Sequence, residues 1–255
     1  MAECDWWANR LTSCFQLLRK NLTVKILANA KILARVTAII AEMRTLPKYS
    51  VLCFGDSNTW GFVPGTGDRY DANTRWPGVL QQQLGPEFNV IEEGFNGRTT
   101  IWEDPTVPGR NGRQYLIPCL GSHRPLDLVV LSLGINDLKA QFGASAEDIA
   151  NGAATLIGLI AQSASGVAGG IPKILVISPP RIGKLTQYAS QFDGRQEQSA
   201  RLGVCMRAVA RQTSCEFIDA AEFVVTSESD GIHLEPDEHQ KLGEAVAQRV
   251  RQMLS

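Results

Sequence analysis

Short apolar runs alternate with longer segments in which apolar residues recur at three- and four-residue steps, from residue 49 almost to the end of the chain. The runs are typical of buried strands, and the longer segments are typical of amphipathic helices. The predicted strands cover 49–54, 88–91, 126–133, 173–178 and 215–218, and the predicted helices cover 75–84, 146–163, 196–213 and 236–253. Apolar strands that alternate with helices predict an α/β domain with a five-stranded parallel sheet, covered by helices on both faces.

An amphipathic pattern also covers residues 11–46. It predicts a long helix that ends before Pro47, because the residue that precedes a proline is pushed out of the helical region. Residues 1–48 contain eight Lys/Arg and three acidic residues. We predict a basic, amphipathic helical extension over residues 1–48 and a catalytic domain over residues 49–255. We favour packing of this helix within its own oligomer, and contact with an anionic membrane surface is the alternative.

Composition excludes several classes of protein. The 255 residues, 44% of them apolar, are enough for one sizeable core, and a net charge of −1 gives no electrostatic basis for binding nucleic acid. The six cysteines lie far apart without a C-x-x-C pair, which favours reduced thiols over disulfides or a zinc site. We find no apolar stretch of the ~20 residues that span a membrane, and no secretion signal. We expect a cytoplasmic protein that needs no metal and no other cofactor.

Two motifs carry candidate chemistry. Gly55-Asp56-Ser57 directly follows the first predicted strand, and Asp230-Gly231-Ile232-His233 follows the last strand after a longer loop. Nucleophilic acyl transfer needs a hydroxyl, a base that takes its proton and an anion that orients the base. The three-residue offset lets Asp230 hold the Nδ1–H of His233 while Nε2 faces Ser57. We predict that these three residues are catalytic; an ordinary turn and a structural loop pair are the alternatives for each motif taken alone.

Gly94 and Asn136 also follow the ends of predicted strands. Because active sites of open parallel sheets lie beyond the carboxyl ends of the strands, we expect both residues beside Ser57. A glycine presents its backbone N–H without a side chain in the way, and Asn136 offers an amide N–H. We predict an oxyanion hole formed by Ser57, Gly94 and Asn136, with Asn96 as an additional donor that ranks below Gly94.

The order of these motifs resembles a known family. Gly55-Asp56-Ser57, Gly94, Gly134-x-Asn136-Asp137 and Asp230-x-x-His233 stand in the order of the four sequence blocks of the SGNH (GDSL) hydrolases. Longer strings such as CFGDSNTWGF and RPLDLVV resemble the bacterial arylesterase/acyltransferase (perhydrolase-like) branch, which acts on short-chain esters. The resemblance covers residues 49–254. It implies a flavodoxin-like three-layer α/β/α sandwich, the catalytic and oxyanion roles given above, and a homo-oligomer.

The loops expected around Ser57 supply candidate substrate-binding residues, most of them aromatic. These are Asn58, Trp60, Phe62, Phe95, Asn96, Trp102, Phe192 and Ile232. A dry, apolar cleft favours an alcohol over water as acceptor of the acyl group, and packing in the core is the alternative for each aromatic residue. Residues 103–125, which contain four prolines, predict a long loop that acts as a lid or an inter-subunit contact.

The hypothesis that we favour is a serine esterase. It hydrolyses short-chain carboxylic esters through an acyl-Ser57 intermediate and also transfers the acyl group by transesterification or perhydrolysis, so its partners are small esters and alcohols. A carbohydrate O-deacetylase or a thioesterase of the same fold is the alternative among enzymes, because pocket width decides between them. A catalytically silent module that binds a partner or a membrane through residues 1–48 is the alternative from another class.

Overall fold

The computed structural model describes residues 47–254, and a parallel sheet forms its centre. The strands are β1 (Tyr49–Gly55), β2 (Phe88–Gly94), β3 (Leu128–Ser132), β4 (Lys173–Ser178) and β5 (Glu216–Asp219). They lie in the order β2-β1-β3-β4-β5, and each neighbouring pair is parallel. This order is that of flavodoxin-like sheets, so the predicted fold class is confirmed. Strand β3 begins two residues later than predicted, because Leu126 forms an isolated bridge with Gly166 instead.

Helices connect the strands. The α-helices of residues 47–254 are α1 (Ser57–Trp60), α2 (Trp76–Leu84), α3 (Gly112–His123), α4 (Ala146–Gln162), α5 (Ala189–Phe192), α6 (Gln196–Gln212) and α7 (Pro236–Leu254). Short 3₁₀ helices cover Asn136–Leu138, Ala140–Phe142, Val167–Gly169 and Ala220–Glu222. Helix α4 begins with a capping box, in which Ser145 and Asp148 each accept a hydrogen bond from the other's backbone N–H.

The sheet is buried on both faces, which gives the three layers of the sandwich. Successive side chains of a strand point to opposite faces. Leu52 and Phe54 of β1 belong to a core that includes buried residues of α3, α4 and α6. Val51 and Cys53 belong to a second core, which includes Trp76 and other residues of α2 and α7. The near-continuous apolar strands of the sequence therefore reflect burial on two faces rather than on one.

Residues 103–125 do not form the long loop that the sequence predicted, because helix α3 occupies their second half. Asn111 caps this helix by accepting a hydrogen bond from the N–H of Arg113 at 3.0 Å. Leu116 and Leu120 lie one turn apart and are buried in the core. Pro118 lies inside the helix. The sequence pattern did not predict this helix, because prolines are typical of loops and because the buried face of the helix is only one narrow stripe.

The predicted basic helix over residues 11–46 lies outside the described residues, so it stays a prediction. Within residues 47–254, no helix is both long and apolar enough to cross a membrane. The cysteines of this part of the chain, Cys53, Cys119, Cys205 and Cys215, are free thiols.

Candidate active site

Ser57 begins helix α1 directly after strand β1. Asp56 is the N-cap of this helix, and its Oδ1 accepts a hydrogen bond from the N–H of Asn58 at 3.0 Å. Gly55, the last residue of β1, lets helix α1 pack closely on the end of the sheet, because a Cβ at this position would lie 1.9 Å from Thr59 Oγ1 and 2.8 Å from the Ser132 carbonyl oxygen. Burial raises the pKa of Asp56 to about 7. The strand, the glycine and the capped helix together hold the Ser57 hydroxyl at the carboxyl edge of the sheet.

Ser57, His233 and Asp230 form a hydrogen-bonded series. The Nε2 atom of His233 lies 2.9 Å from Ser57 Oγ, and its Nδ1 atom lies 2.6 Å from Asp230 Oδ2. Burial raises the pKa of Asp230, but hydrogen bonds from His233 and from the Ile232 N–H outweigh burial and lower the pKa below its usual value. An ionised Asp230 holds the proton of the ring on Nδ1, which leaves Nε2 free to accept the proton of Ser57.

The imidazole ring of His233 is held between two aromatic rings. The ring of Phe62 stacks on it with centroids 4.1 Å apart, and Tyr188 meets it edge-on at 5.6 Å. The loop that carries the histidine turns at Gly231, whose φ of +76° is the left-handed conformation that favours glycine. A Cβ at Gly231 would also lie 2.6 Å from the carbonyl oxygen of Lys184. The orientation of the ring is therefore set by packing as well as by Asp230.

Asn58 connects the serine helix to the histidine loop and does not line the cavity at Ser57. Its Nδ2 donates to the Ile232 carbonyl oxygen at 3.3 Å, and its Oδ1 accepts from the Leu234 N–H at 3.1 Å. Both ends of the amide are used inside the protein, and only 6% of the residue is exposed. The structure does not support the predicted substrate contact of Asn58, because this side chain joins the serine segment to the histidine segment.

A cavity of about 200 Å³ opens beside Ser57 and His233. The remaining residues that line it are Phe62, Asn96, Gly97, Arg110, Asn136, Lys139, Tyr188, Gln191, Phe192 and Ile232. The lining thus includes four of the eight predicted substrate-binding residues. Besides Asn58, three others lie elsewhere: Phe95 lines a separate surface cavity, Trp102 packs against the core, and the Trp60 ring lies 5.1 Å from the Arg69 guanidinium.

Gly97, not Gly94, lines this cavity, so the structure does not support the predicted oxyanion role of Gly94. A Cβ at Gly94 would lie 2.2 Å from the backbone nitrogen of Trp60, which shows that this glycine lets strand β2 pack against helix α1. Gly97 has a φ of +77° and lines the cavity with Ser57 and Asn136. Gly94 is the last residue of strand β2 and Gly97 follows it by three residues. The sequence pattern carried no signal that would separate a packing glycine from a cavity glycine.

Buried polar groups hold the segment of Gly97 against the segment of Asn136. The Asn136 Nδ2 atom donates to the Arg98 carbonyl oxygen at 3.2 Å. Asp137 Oδ1 accepts from the N–H and the hydroxyl of Thr100, at 2.8 and 2.5 Å. Burial raises the pKa of Asp137 to about 6. These contacts hold together two chain segments, those of Gly97 and Asn136, that both line the cavity.

Four further residues line the cavity although no sequence motif indicates them: Arg110, Lys139, Tyr188 and Gln191. Lys139 follows Asn136 by one turn, and Arg110 stands in the proline-rich connection. Tyr188 and Gln191 lie in or beside the short helix α5, after β4, where the sequence shows only a turn. The residues of this group share no motif, and only the tertiary structure brings them together.

A possible metal-binding group lies apart from this cavity. Glu93, Cys119 and His123 bring one ligand atom each to within 4.8 Å of one another. The His123 Nε2 atom already lies 2.7 Å from Glu93 Oε1. Burial raises the pKa of the Cys119 thiol to about 12, which disfavours the thiolate that a metal would need. None of the three residues lines the cavity at Ser57.

These features define the class of the protein: a hydrolase with a three-layer α/β/α fold and a serine–histidine pair at the carboxyl edge of its sheet. The sequence of residues 53–241 matches the GDSL-like Lipase/Acylhydrolase family, and the chain belongs to that family. The resemblance to the SGNH (GDSL) hydrolases is therefore confirmed. No curated protein sequence matches the chain.

Solved structures agree with this assignment. The aryl esterase of M. smegmatis is 42% identical over 81% of this chain and 100% of its own, with a TM-score of 0.78. A carbohydrate acetylesterase from Sinorhizobium meliloti is 39% identical over the same shares, with a TM-score of 0.78. A putative arylesterase from Agrobacterium tumefaciens is 37% identical, with a TM-score of 0.76 and coverage of 81% and 100%. The protein is an ester hydrolase of the GDSL (SGNH) family.

Proposed function

We propose that the protein is a serine esterase that hydrolyses short-chain carboxylic esters through an acyl-Ser57 intermediate. The observation that carries this proposal is the continuous hydrogen-bonded series from Asp230 through His233 to Ser57. A serine hydroxyl is a weak nucleophile until a base accepts its proton, and here the base lies within hydrogen-bond distance.

In the first half of the proposed reaction, Ser57 Oγ attacks the ester carbonyl carbon while His233 Nε2 takes the hydroxyl proton. The carbonyl oxygen becomes an oxyanion, which accepts hydrogen bonds from the backbone N–H groups of Ser57 and Gly97 and from the Asn136 amide. His233 then gives its proton to the departing alcohol oxygen as the C–O bond breaks. Asp230 stays ionised throughout and stabilises the imidazolium.

In the second half, an acceptor attacks the acyl carbon of the acyl-Ser57 ester and loses its proton to His233. The bond between the acyl carbon and Ser57 Oγ then breaks, and His233 gives this proton to Oγ, which restores the free serine. Water gives the carboxylic acid, and an alcohol gives a new ester. Phe62, Phe192 and Ile232 make part of the cavity wall apolar. Apolar walls lower the concentration of water at the acyl group, so we propose that small alcohols compete with water as acceptors.

The size of the cavity supports a short acyl chain. Its volume of about 200 Å³ lies below the ~300–1,000 Å³ of ordinary small-molecule pockets. The side chains of Phe192 and Ile232, each 2% exposed, belong to the packed core and limit expansion of the cavity. We propose acetyl to butyryl esters as substrates.

Deacetylation of a carbohydrate is the second candidate, with the same chemistry and a sugar as the alcohol. Asn96 lines the cavity, and its buried Oδ1 atom has no hydrogen-bond partner within residues 47–254. A sugar hydroxyl would satisfy this acceptor. One of the similar solved structures is itself a carbohydrate acetylesterase.

The test is turnover of p-nitrophenyl acetate by the wild type and by Ser57→Ala, with EDTA present. We expect an active wild type and a loss of at least ~10³-fold in kcat for the variant. Ser122→Ala, at an exposed position in helix α3, is the control and should match the wild type. Full activity of Ser57→Ala, or loss of wild-type activity with EDTA, would show that the proposed mechanism is wrong. Acetylated sugars assayed with the same three proteins would decide between the two candidates.

A further inference from the structure

Among residues 47–254, the cavity at Ser57 is lined by two cationic side chains and by no carboxylate. Arg110 and Lys139 are the cations, and the lining contains neither Asp nor Glu. The uncharged acyl group of a simple ester needs no positive charge near it. Arginine and lysine are also rarely buried without a compensating partner.

The guanidinium of Arg110 is incompletely paired. Its Nε atom is buried and has no hydrogen-bond partner among the described residues. The group lies directly against the backbone of Gly97, because a Cβ at Gly97 would be 2.6 Å from the Arg110 Cζ atom. The side chain as a whole is 25% exposed and lines the cavity at Ser57. A planar guanidinium with unused N–H groups is well suited to bind a carboxylate.

Lys139 brings a second positive charge to the same wall. The residue is only 6% exposed, and it follows Asn136 by one turn. Burial lowers the pKa of Lys139, and the nearby Arg110 lowers it further, while Asp104 acts in the opposite direction. An anion bound between the two cations would oppose both of these effects on the pKa of Lys139, because its negative charge would attract both cations.

The Asp104 carboxylate is near both cations, but neither cation lies within hydrogen-bond distance of it. Its Oδ2 atom lies 3.9 Å from an Arg110 terminal nitrogen and 3.7 Å from Lys139 Nζ. Both distances exceed that of a hydrogen bond. Its other oxygen is used by Thr106, which donates from its N–H at 3.0 Å and from its hydroxyl at 2.6 Å. Asp137 also acts on Lys139, but Thr100 holds its Oδ1 and it lies outside the lining.

We propose that Arg110 and Lys139 form an anion subsite, and that the ester bound at Ser57 carries a carboxylate on its acyl or its alcohol part. This inference rests on the proposed function and names the substrate class of the same site. The carboxylate would accept charge-assisted hydrogen bonds from both cations while the ester carbonyl reaches Ser57. Neutral esters of the same size would still react, without this additional binding.

Matched pairs of esters test the subsite. Monomethyl succinate differs from methyl butyrate by a carboxylate in place of the terminal methyl group, which tests the acyl side. 4-Acetoxybenzoate and phenyl acetate test the alcohol side. We expect kcat/KM, corrected for the rate of alkaline hydrolysis, to be at least ~10-fold higher for the charged member of one pair, as one charge-assisted hydrogen bond predicts.

Two substitutions with opposite expected effects on the preference for the charged ester keep the test independent of effects on folding. Arg110→Leu should remove the preference for the charged ester, so that kcat/KM falls further for the charged than for the neutral member of the pair. Asp104→Asn should increase the preference, because it removes the competing carboxylate from both cations. Arg113→Leu, at an exposed position of helix α3, is the matched control. Equal kcat/KM for both members of each pair would overturn the inference. So would equal losses for charged and neutral esters in Arg110→Leu, which would indicate a role at the oxyanion.

Binding to Ser57→Ala separates this inference from the proposed mechanism. Calorimetric titration should show monomethyl succinate binding at least ~10-fold more tightly than methyl butyrate, and the difference should vanish in Ser57→Ala/Arg110→Leu. If wild type hydrolyses neutral esters but Ser57→Ala binds both esters equally, the subsite is refuted and the esterase stands. If wild type hydrolyses no ester, the proposed function fails, and the titration still decides whether the cavity selects anions.

Discussion

Asn58 and Leu234 are joined by a hydrogen bond of 3.1 Å that links the residue after the serine to the residue after the histidine. The same amide donates to the Ile232 carbonyl oxygen, so both sides of His233 are tied to helix α1. Residues 174 positions or more apart are thereby held as one unit. The distance between Ser57 and His233 depends on this contact, because Ser57 and His233 lie on separate chain segments.

Asn58→Ala should lower kcat by ~10–100-fold with little change in KM. The substitution leaves buried backbone groups of Ile232 and Leu234 without partners, at a cost of about 1–3 kcal/mol in the free energy of unfolding. Steady-state kinetics and urea unfolding measure the two effects. Asn89→Ala, at an exposed position of strand β2, is the control. A stability loss with unchanged kcat would show that Asn58 supports the fold but does not position the histidine.

Asn136→Ala should reduce kcat for p-nitrophenyl acetate by ~10²–10³-fold, because one donor to the oxyanion is lost. KM should change less, since the donor acts mainly on the charge that develops in the transition state. Asn151→Ala, on an exposed face of helix α4, should behave as the wild type. A variant of Asn136 that retains kcat would contradict an oxyanion role for this side chain.

Gly94→Ala should destabilise the protein. The new methyl group would lie 2.2 Å from the Trp60 nitrogen and 2.6 Å from the Thr59 carbonyl carbon, so backbone atoms of helix α1 must move. We expect a loss of at least about 1–3 kcal/mol in the free energy of unfolding. Gly158→Ala is the matched control, because a Cβ at this helical position meets no atom within 4 Å and alanine favours helix. Unchanged thermal unfolding of Gly94→Ala would contradict the close packing of β2 on α1.

His239 should make the protein less stable in acid. Burial lowers the pKa of His239 from 6.5 to about 3, and its Nδ1 accepts a hydrogen bond from the Trp76 N–H. Below pH 6.5 the unfolded chain binds a proton that the folded protein does not bind. The free energy of unfolding therefore falls by up to about 1.4 kcal/mol per pH unit between pH 6.5 and 3, and no such loss occurs above pH 6.5.

Comparison with His239→Gln isolates this effect from the other titrating groups. The stability advantage of the wild type over the variant, measured by urea unfolding, should shrink as the pH falls from 7 to 4. A constant difference over this range would mean that His239 titrates in the folded protein as it does in the unfolded chain.

The sequence predicted most of the fold, because buried strands and amphipathic helices leave local patterns. The prediction of a long loop over residues 103–125 was wrong, because the prolines and the narrow buried stripe gave no clear signal for helix α3. The sequence also proposed Ser57, Asp230, His233 and Asn136, since each stands at the end of a strand or in a short motif. Gly94 and Gly97 show the limit of this reasoning. Both are glycines at or just beyond the end of strand β2, and only the position of helix α1 determines which of them faces the cavity.

The sequence by itself determined the order of strands and helices, the family, and the residue types that the proposed mechanism needs. These are local properties, set by periodicity and by spacing within a few residues. The tertiary structure alone decided that Asn58 binds the histidine loop and that Arg110 and Lys139 share one wall. The lining of a cavity depends on how distant segments of the chain pack against each other. Segments that share no periodicity and no motif give no indication in the sequence of which other segments they contact.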